Sequence, residues 1–490
     1  MVTIDDMGLC DVPDELLLDI IDHIGWDDPT LSRLSRCNKR LYQTITPILY
    51  ESVELASHEA DKFRSLRYFT NAVACNPSLA QQVKYVCLDG VEWSSRASQT
   101  KSDQFTTLDY NDLDDSKFLD IVEGLSIVEE DHKISWLKAL AENNPDAIVA
   151  VLLVSVPSLE RFETFLSSDA VFVSYLLTEV AGRGHNILDN LTQLKAEGEG
   201  VDGDTCLLNT MVTIPSLTHL FASNWGPEKW RDCKEIPALG KSSITHLELR
   251  CCLLDEYHLA KLLTPCVSLQ TFILRRDWGS MFHHQGLLSS SITTALYPLR
   301  NTLLWIFLGH RPGWSIEDEE DEINPLDFSE FHSLSRLCVA AGYIIKDPSR
   351  KSLGDYRHCD PETAITNTNR PLEDRLPSSL EELRIMGPST PAQVHYLMDS
   401  LCQLVRNRAV VPQLKRLCIE APFNDKSHGF DTTALLEEAL MAGIEVVKYH
   451  DTYEVREGRW TYSRQEYDWG FDGEFEWGVP VEDGKLYKIE

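Results

Sequence analysis

The sequence predicts an α/β fold in which a small all-α module precedes a long solenoid of strand–helix repeats. One observation is a short unit, apolar-x-x-apolar-x-apolar, that recurs eleven times from Val83 onward. A second is that runs with helical periodicity separate many of these units. The third is the segment 9–55, where apolar residues of two successive runs follow helical spacing. A helical module is therefore expected first, and alternating strands and helices after it.

The N-terminal module has two predicted helices. Asp11 can cap the first, Pro13 suits its first helical position, and Gly25 can end it. The second helix is expected to begin at Asp28 and to stop at Pro47. A unit of about 45 residues buries only part of the surface that its unfolded chain exposes. Some of this apolar surface is therefore expected to contact a partner.

The residues of this module resemble an F-box. They read V-P-x-E-L-L-L-x-I-I, then a short turn with Asp-Pro, then L-x-x-L-S-R-C-N-K-R-L-Y. The ending P-I-L-Y-E-S-V-E-L resembles the version common in fungal F-box proteins, although Val12 stands where the family usually has Leu. The family module has no catalytic residues and binds the Skp-type adaptor of an SCF-type (cullin-RING) ubiquitin ligase. A generic helical hairpin that caps the next domain is the alternative.

The resemblance implies that apolar side chains of the module form an adaptor-binding face. Some of them are expected instead to hold the two helices together. The residues are Pro13, Leu16, Leu17, Ile20, Ile24, Leu31, Leu34 and Leu41.

The recurring unit predicts a leucine-rich-repeat-like solenoid, a horseshoe of stacked repeats. Three steps between copies, from Leu191 to Leu217, Ile244 and Leu269, are 26, 27 and 25 residues, a period typical of such repeats. The later steps are 34, 31, 46, 34 and 30 residues, so irregular leucine-rich repeats are expected. No single repeat can bury its own apolar face, so the repeats must stack. A plain α/β domain is the alternative. The copies begin at Val83, Leu159, Leu191, Leu217, Ile244, Leu269, Leu303, Leu334, Leu380, Leu414 and Ile444.

These patterns divide the chain into four parts. Polar, turn-rich stretches near 92–117, 313–331 and 346–375 are expected to be insertions at the rim of the solenoid. The aromatic and acidic tail is expected to form a strand or hairpin that covers the last repeat. The parts are an F-box-like module 1–55, a helical linker 56–80, the solenoid 81–455 and the C-terminal cap 456–490.

Composition limits the classes of partner. The chain has 45 Lys and Arg against 77 Asp and Glu, a net charge of −32. An acidic surface repels phosphate backbones and anionic lipids, so neither nucleic acid nor a membrane is an expected partner. The 13 cysteines are odd in number and form no C-x-x-C pair. Together with the lack of a signal-peptide pattern, this usage favours the cytoplasm or the nucleus.

No motif predicts an enzyme. The chain contains no nucleophile elbow, P-loop or dinucleotide-binding glycine pattern. His283–His284 and His358–Cys359–Asp360 have no second pair at ligand spacing, so no metal site is expected. We therefore expect neither catalytic residues nor a cofactor.

Alternation along the repeat strands predicts a substrate face on the concave side of the solenoid. Seven basic and four acidic residues are expected there, a sum of +3, with Lys195, Lys448 and Asp89 among them. One hypothesis is a positive strip for an acidic or phosphorylated protein segment. The alternative is that the arginines pair with neighbouring acids. The predicted substrate-binding residues are Arg250, Arg275, Trp305, Arg336, Arg384 and Arg416.

The function that these patterns favour is substrate recognition for an SCF-type ligase, with adaptor bound at the F-box and substrate at the repeats. The alternative keeps both surfaces but makes the chain a scaffold outside any ligase. Neither reading identifies the substrate.

Overall fold

The structure of the chain is a computed structural model. It describes residues 12–24, 28–55, 62–88, 116–167, 170–183, 187–200, 205–226, 241–276, 289–310, 326–345, 370–387, 391–421, 432–450, 453–456 and 459–462. The chain divides into two compact units. The first consists of Met1–Glu199 with Ile214–Leu217, and the second of Gly200–Thr213 with Thr218–Glu490.

The first unit begins with three helices where the sequence predicted two. They are α1 (Asp14–Ile24), α2 (Asp28–Ser35) and α3 (Lys39–Glu51). The second predicted helix is interrupted before Asn38, whose side-chain oxygen accepts a hydrogen bond from the Leu41 N–H at 2.8 Å and caps α3. Pro47 lies inside α3 and does not end it, so that prediction was wrong. The helix continues because Ile48 and Leu49, beyond the proline, pack against the core of the module.

The three helices lead directly into the strands of the first unit. Strand β1 (Ser52–Glu54) follows α3 and pairs in parallel with β2 (Tyr85–Leu88), with α4 (Lys62–Cys75) and α5 (Pro77–Ala80) between them. The Leu55 N–H donates to the Cys87 carbonyl at 2.9 Å beside this pair. The helical module and the first repeat are thus joined by backbone hydrogen bonds.

Four helices and two strands complete the described part of the first unit. Strand β3 (Arg161–Leu166) pairs in parallel with β2 on one side and with β4 (Gln193–Gly200) on the other. The helices are α6 (Ser116–Gly124), α7 (Glu130–Ala141), α8 (Pro145–Ser155) and α9 (Val171–Arg183). Helix α8 is mostly apolar and is buried from Asp146 to Leu153, as expected for a helix that is hydrophobic on all sides.

A buried carboxylate orients α9 against α8. Asp146 is 1% exposed, and its two oxygens accept the backbone N–H groups of Phe172 (2.6 Å) and Val173 (3.0 Å). These are donors of the first turn of α9, which have no partner within the helix. A negative side chain also suits the positive end of the helix dipole. The contact fixes where α9 begins.

Asp146→Ala should therefore destabilise the first unit by about 1–3 kcal/mol, because two buried N–H groups lose their acceptors. The measurement is a chemical denaturation curve for each variant. Asp131→Ala, in the exposed first turn of α7, is the matched control and should change stability by less than about 0.5 kcal/mol. Equal effects of the two substitutions would show that Asp146 does not hold α9.

The second unit contains eight parallel strands paired in chain order. They are β5 (His219–Trp225), β6 (His246–Arg250), β7 (Thr271–Arg276), β8 (Trp305–His310), β9 (Arg336–Ala340), β10 (Glu382–Met386), β11 (Arg416–Ala421) and β12 (Glu445–His450). The helices between and before them are α10 (Thr205–Met211), α11 (Glu256–Leu263), α12 (Ser289–Leu296), α13 (Ala341–Ile344), α14 (Pro391–Arg406) and α15 (Thr433–Ala442), with 3-10 turns at Tyr297–Leu299 and Leu372–Arg375.

Every copy of the recurring unit forms a strand. The first apolar residue of each copy precedes its strand and is buried, with exposures of 0% from Val83 to Leu414 and 5% at Ile444. The prediction of an α/β fold with alternating strands and helices is confirmed, and the arrangement is compatible with a solenoid-like repeat fold.

Two predicted rim insertions end earlier than expected. Leu326, Phe328 and Phe331 are buried, although they fall in the stretch 313–331. Leu372 and Arg375 are buried as well, inside the stretch 346–375. The Phe328 N–H donates to the Arg375 carbonyl at 2.8 Å. This hydrogen bond joins the C-terminal ends of the two stretches. The remainders of these stretches, and 92–115, lie outside the described residues.

The C-terminal part contains the expected hairpin. Strands β13 (Tyr453–Arg456) and β14 (Arg459–Tyr462) pair antiparallel. Residues 463–490 lie outside the described part, so the prediction that the tail covers the last repeat stays a prediction. None of the helices in the described ranges has the length and apolar character needed to cross a membrane.

Candidate binding surfaces

The predicted adaptor-binding residues separate into a core and a surface. Leu17, Leu31 and Leu41 are at most 4% exposed and form the centre of the three-helix module together with Ile21 and Ile45. Leu34 is half-buried and packs against the same core. These four residues hold the helices together, the role expected for some members of the set. The reason is that the closure of three helices needs more apolar side chains than a hairpin of two.

The exposed members lie along one side of α1. Leu16 is 53% and Ile20 is 39% exposed, and they are one helical turn apart. Pro13 is also exposed and precedes Leu16 by three residues. We call Pro13, Leu16 and Ile20 the α1 stripe. The side chain of Ile24 lies outside the described ones.

Two exposed apolar residues of the module were not predicted as part of a docking face. Leu18 is 42% and Tyr42 is 55% exposed. Leu18 is two residues from both Leu16 and Ile20, so it lies on another side of the helix. Tyr42 belongs to the L-Y pair of the F-box-like motif, and this position in the motif could have indicated that it lies on a docking face. The start of α1 is held by Arg40 of α3, whose guanidinium donates to the Val12 carbonyl.

The strands of the second unit present a second surface. Alternate side chains face the buried helices, and the others form what we call the open face. Strand register places the open-face residues in two rows across all eight strands. Row one is His219, His246, Thr271, Trp305, Arg336, Glu382, Arg416 and Glu445, and row two is Phe221, Glu248, Ile273, Phe307, Cys338, Arg384, Cys418 and Val447.

Alternation places further residues on the open face, beyond row two. Ser223, Arg250, Arg275 and Gly309 are in register with one another on β5 to β8. Glu420 of β11 follows Cys418 by two residues, so it shares this face. All six predicted substrate-binding residues therefore lie on one surface.

Three other residues predicted for the face do not belong to this set. Lys448 is in register with buried Ile419, so it lies on the opposite side of the strands. Lys195 is on β4 in the first unit. Asp89 lies outside the described residues. The open face thus carries five arginines and four glutamates, Glu248, Glu382, Glu420 and Glu445, and its sum is +1 where +3 was expected.

Comparison with known proteins does not assign the chain to a family. No protein-family model matches this chain, and the search of curated proteins finds no match. Inferences about function therefore rest on the two surfaces.

Most arginines of the open face are in contact with a carboxylate. Glu248 accepts from the Arg250 Nε at 2.6 Å, and the Arg275 Nε lies 3.9 Å from the same oxygen. Arg384 Nη2 is 3.3 Å from Glu420 Oε2. Arg416 Nε is 3.6 Å from Glu445 Oε2. These contacts support the alternative in which paired acids neutralise the arginines.

Two of these arginines also lie over aromatic rings. The guanidinium carbon of Arg250 is 4.8 Å from the centre of the Phe221 ring, and that of Arg275 is 4.7 Å from the centre of the Phe307 ring. The ring faces attract the cations and cover their apolar stems. The guanidinium groups are therefore held flat against the sheet.

The first unit repeats the same arrangement on its own strands. Glu163, which is 6% exposed, pairs with Arg161 and with Lys195 at 3.0 Å, and Arg161 lies 4.7 Å over the Tyr85 ring. Burial alone would raise the pKa of Glu163, but the two cations outweigh it and lower that pKa below its usual range. Arg161 and Glu163 were missed from the sequence, although they alternate within their copy as Glu248 and Arg250 do.

Two histidines stack at the start of row one. The ring centres of His219 and His246 are 5.5 Å apart. Burial lowers the pKa of His246 to about 4, although the charge of Glu248 opposes that shift. Burial also lowers the pKa of His219. Both rings are therefore neutral in the folded chain at neutral pH.

This arrangement makes stability depend on pH. Unfolded histidine has a pKa near 6.5, so as the pH falls below about 6.5 the unfolded chain binds protons before the folded chain does. Stability should then be lost progressively until the folded histidines protonate as well, near pH 4 for His246. His246→Gln should flatten this loss between pH 6.5 and 5 in thermal melts. His332, which is exposed and outside the strands, provides the control, and His332→Gln should leave the dependence of melting temperature on pH unchanged. The same dependence in the unmodified chain, His246→Gln and His332→Gln would show that His246 does not cause the loss.

The two cysteines of row two are buried thiols. Burial raises the pKa of the Cys338 thiol to about 12 and that of the Cys418 thiol to about 11, so both stay protonated and behave as small apolar groups. Across the described ranges no three His, Cys, Asp or Glu side chains converge as a metal site would require. His283–His284 and His358–Cys359–Asp360 lie outside those ranges.

Proposed function

We propose that the chain is a substrate-recognition subunit of an SCF-type (cullin-RING) ubiquitin ligase, acting in the cytoplasm or the nucleus. The α1 stripe binds the Skp-type adaptor, and the open face of the second unit binds a protein substrate. The chain itself carries no catalytic residue. Its contribution is to hold the substrate near the ubiquitin carrier that the partners supply, which raises the effective concentration of the reacting groups.

The observation that carries the proposal is the α1 stripe. Scattered exposed leucines are ordinary, but a row of apolar side chains on one side of a helix indicates a surface that is covered in a complex. Leu17, Leu31 and Leu41 already close the core of the module, so Leu16 and Ile20 are not needed for folding. The stripe lies within the residues that resemble the adaptor-binding motif.

Affinity isolation of the tagged full chain from cells tests the proposal. A substrate receptor should bring down the adaptor together with cullin and RING subunits, because the adaptor links them. A scaffold outside the ligase should bring down the adaptor alone. Recovery of neither adaptor nor cullin would contradict both readings. Repeating the isolation with the proteasome blocked should enrich the substrate.

A further inference from the structure

One arginine of the open face differs from the other four. Arg336 is exposed, and within the described part of the chain its guanidinium makes no ion pair and no hydrogen bond. Glu382 stands in register on the next strand, but no carboxylate oxygen of that residue lies within ion-pair distance. Arg336 is therefore the cation of this surface that is most available to an incoming anion.

The position of Arg336 within its row is also distinctive. From Arg336 onward the row alternates in charge, with Glu382, Arg416 and Glu445 following. Before it the row is uncharged at neutral pH and ends in half-buried Trp305, directly in register with Arg336. Arg336 thus lies in row one at the border between an uncharged half, which we call the aromatic half, and a charged half. Glu248, Arg250 and Arg275 lie beside the aromatic half on the same face.

The aromatic half provides a preformed apolar floor. The ring of Phe307 lies over Gly309, where an added Cβ would be 2.5 Å from the ring edge. Ile273, which is 4% exposed, is in register with Phe307, and the guanidinium carbon of Arg275 is 4.7 Å from the centre of the Phe307 ring. Trp305 stands beside this floor in row one. Such a surface favours an apolar or aromatic side chain next to whatever Arg336 binds.

From this juxtaposition we propose that the open face recognises a protein segment with one carboxylate side chain next to an aromatic or aliphatic one. Arg336 forms a forked ion pair with the carboxylate, and Trp305 with the Phe307 floor receives the neighbouring side chain. The inference rests on the proposed function, since it names the class of segment that the substrate presents.

The same charges exclude a strongly anionic segment. Glu248, Glu420 and Glu445 lie against the other arginines, so a run of acids or phosphates across the face would meet these carboxylates. Like charges at contact distance disfavour such binding. A positive strip for an acidic or phosphorylated segment, one of the two hypotheses from the sequence, therefore gives way to a site for a single anion.

Selection of random dodecapeptides displayed on phage, with the whole chain as bait, tests the inference without any adaptor. We expect enriched peptides to carry one Asp or Glu within two positions of Trp, Phe, Tyr or Leu. The best peptide is then synthesised with its acid, with the corresponding amide and with phosphoserine at that position. The amide should bind about tenfold more weakly, a typical value for loss of a hydrogen bond to a charged group.

Variants of the chain locate the site. Arg336→Ala should bind the acidic peptide about tenfold more weakly and should no longer distinguish acid from amide. Glu382→Gln should strengthen binding, because it removes a negative charge in register with Arg336 that repels the incoming carboxylate. A purely structural role for Arg336 would not produce this gain. Arg408→Ala, exposed in the turn after α14, is the matched control and should bind as the unmodified chain does.

Several results would overturn the inference. They are enrichment of peptides with several acids or none, an unchanged acid preference in Arg336→Ala, tighter binding of the phosphoserine peptide than of the carboxylate, or no enriched peptide at all. Because no adaptor takes part, these failures leave adaptor binding untouched. Loss of adaptor binding would likewise leave the peptide result standing.

Discussion

Leu16→Arg should abolish co-purification of the chain with a Skp-type adaptor, a loss in affinity of about 100-fold or more. The arginine would place an unpaired charge in an apolar contact that must lose its water in the complex. The isolated variant should melt as the unmodified chain does, because Leu16 is 53% exposed and leaves no cavity. Recovered adaptor per mole of tagged chain, together with a melting curve, measures both effects.

Leu17→Arg is the matched comparison, one residue along the same helix. Leu17 is 1% exposed in the core of the module, so an arginine there buries a charge in the folded chain itself. We expect a loss of about 3–5 kcal/mol and unfolding of the module. The two substitutions are chemically identical, so the difference between them isolates docking from folding. Adaptor recovery at the unmodified yield with Leu16→Arg would refute the assignment of the α1 stripe.

Phe272→Ala, a truncation of a buried aromatic side chain, should reduce the free energy of unfolding of the second unit by about 3–5 kcal/mol. Phe272 is 0% exposed on the buried side of β7, in register with Leu247 and Ile306, which are equally buried. Truncation removes the aromatic ring from the buried side of the sheet, beside the side chains of Leu247 and Ile306, and leaves a cavity. The midpoint of guanidinium unfolding, followed by tryptophan fluorescence, measures the loss.

Val267→Ala provides the control for that measurement. Val267 precedes the same strand but is 45% exposed, so its truncation should cost less than about 0.5 kcal/mol. If both substitutions shift the midpoint equally, the sheet does not carry the core that we describe.

The strands could be predicted because each repeat carries two independent sequence signals. Alternation marks the strand, and a leucine two residues earlier marks where the chain enters the core, as at Leu217 and Leu269. Both signals are local, and each is repeated along the chain. The helices between the strands, such as α8 and α11, followed from the local helical periodicity that separates the units.

The division of the module into core and surface could not be predicted in the same way. Leu16 and Leu17 are identical residues in one apolar run, and both fit a helical stripe. Which of them is buried depends on where α3 crosses α1. That crossing depends on the break at Asn38, a capping signal inside what reads as one continuous helix.

The ion pairs on the open face could not be predicted from the sequence for a related reason. Arg384 meets Glu420, and Arg416 meets Glu445, across gaps of 36 and 29 residues (420 − 384 and 445 − 416). Only strand register brings such residues together. Alternation predicted the face on which they lie, whereas their pairing, and the exception at Arg336, required the structure.

Calorimetric titration of the purified full chain with a purified Skp-type adaptor, at two temperatures, measures docking at the α1 stripe. We expect a saturable one-to-one complex with a negative heat-capacity change, the mark of buried apolar surface, and no binding heat for Leu16→Arg. Absence of binding by the unmodified chain, or an equal isotherm for Leu16→Arg, would contradict this expectation.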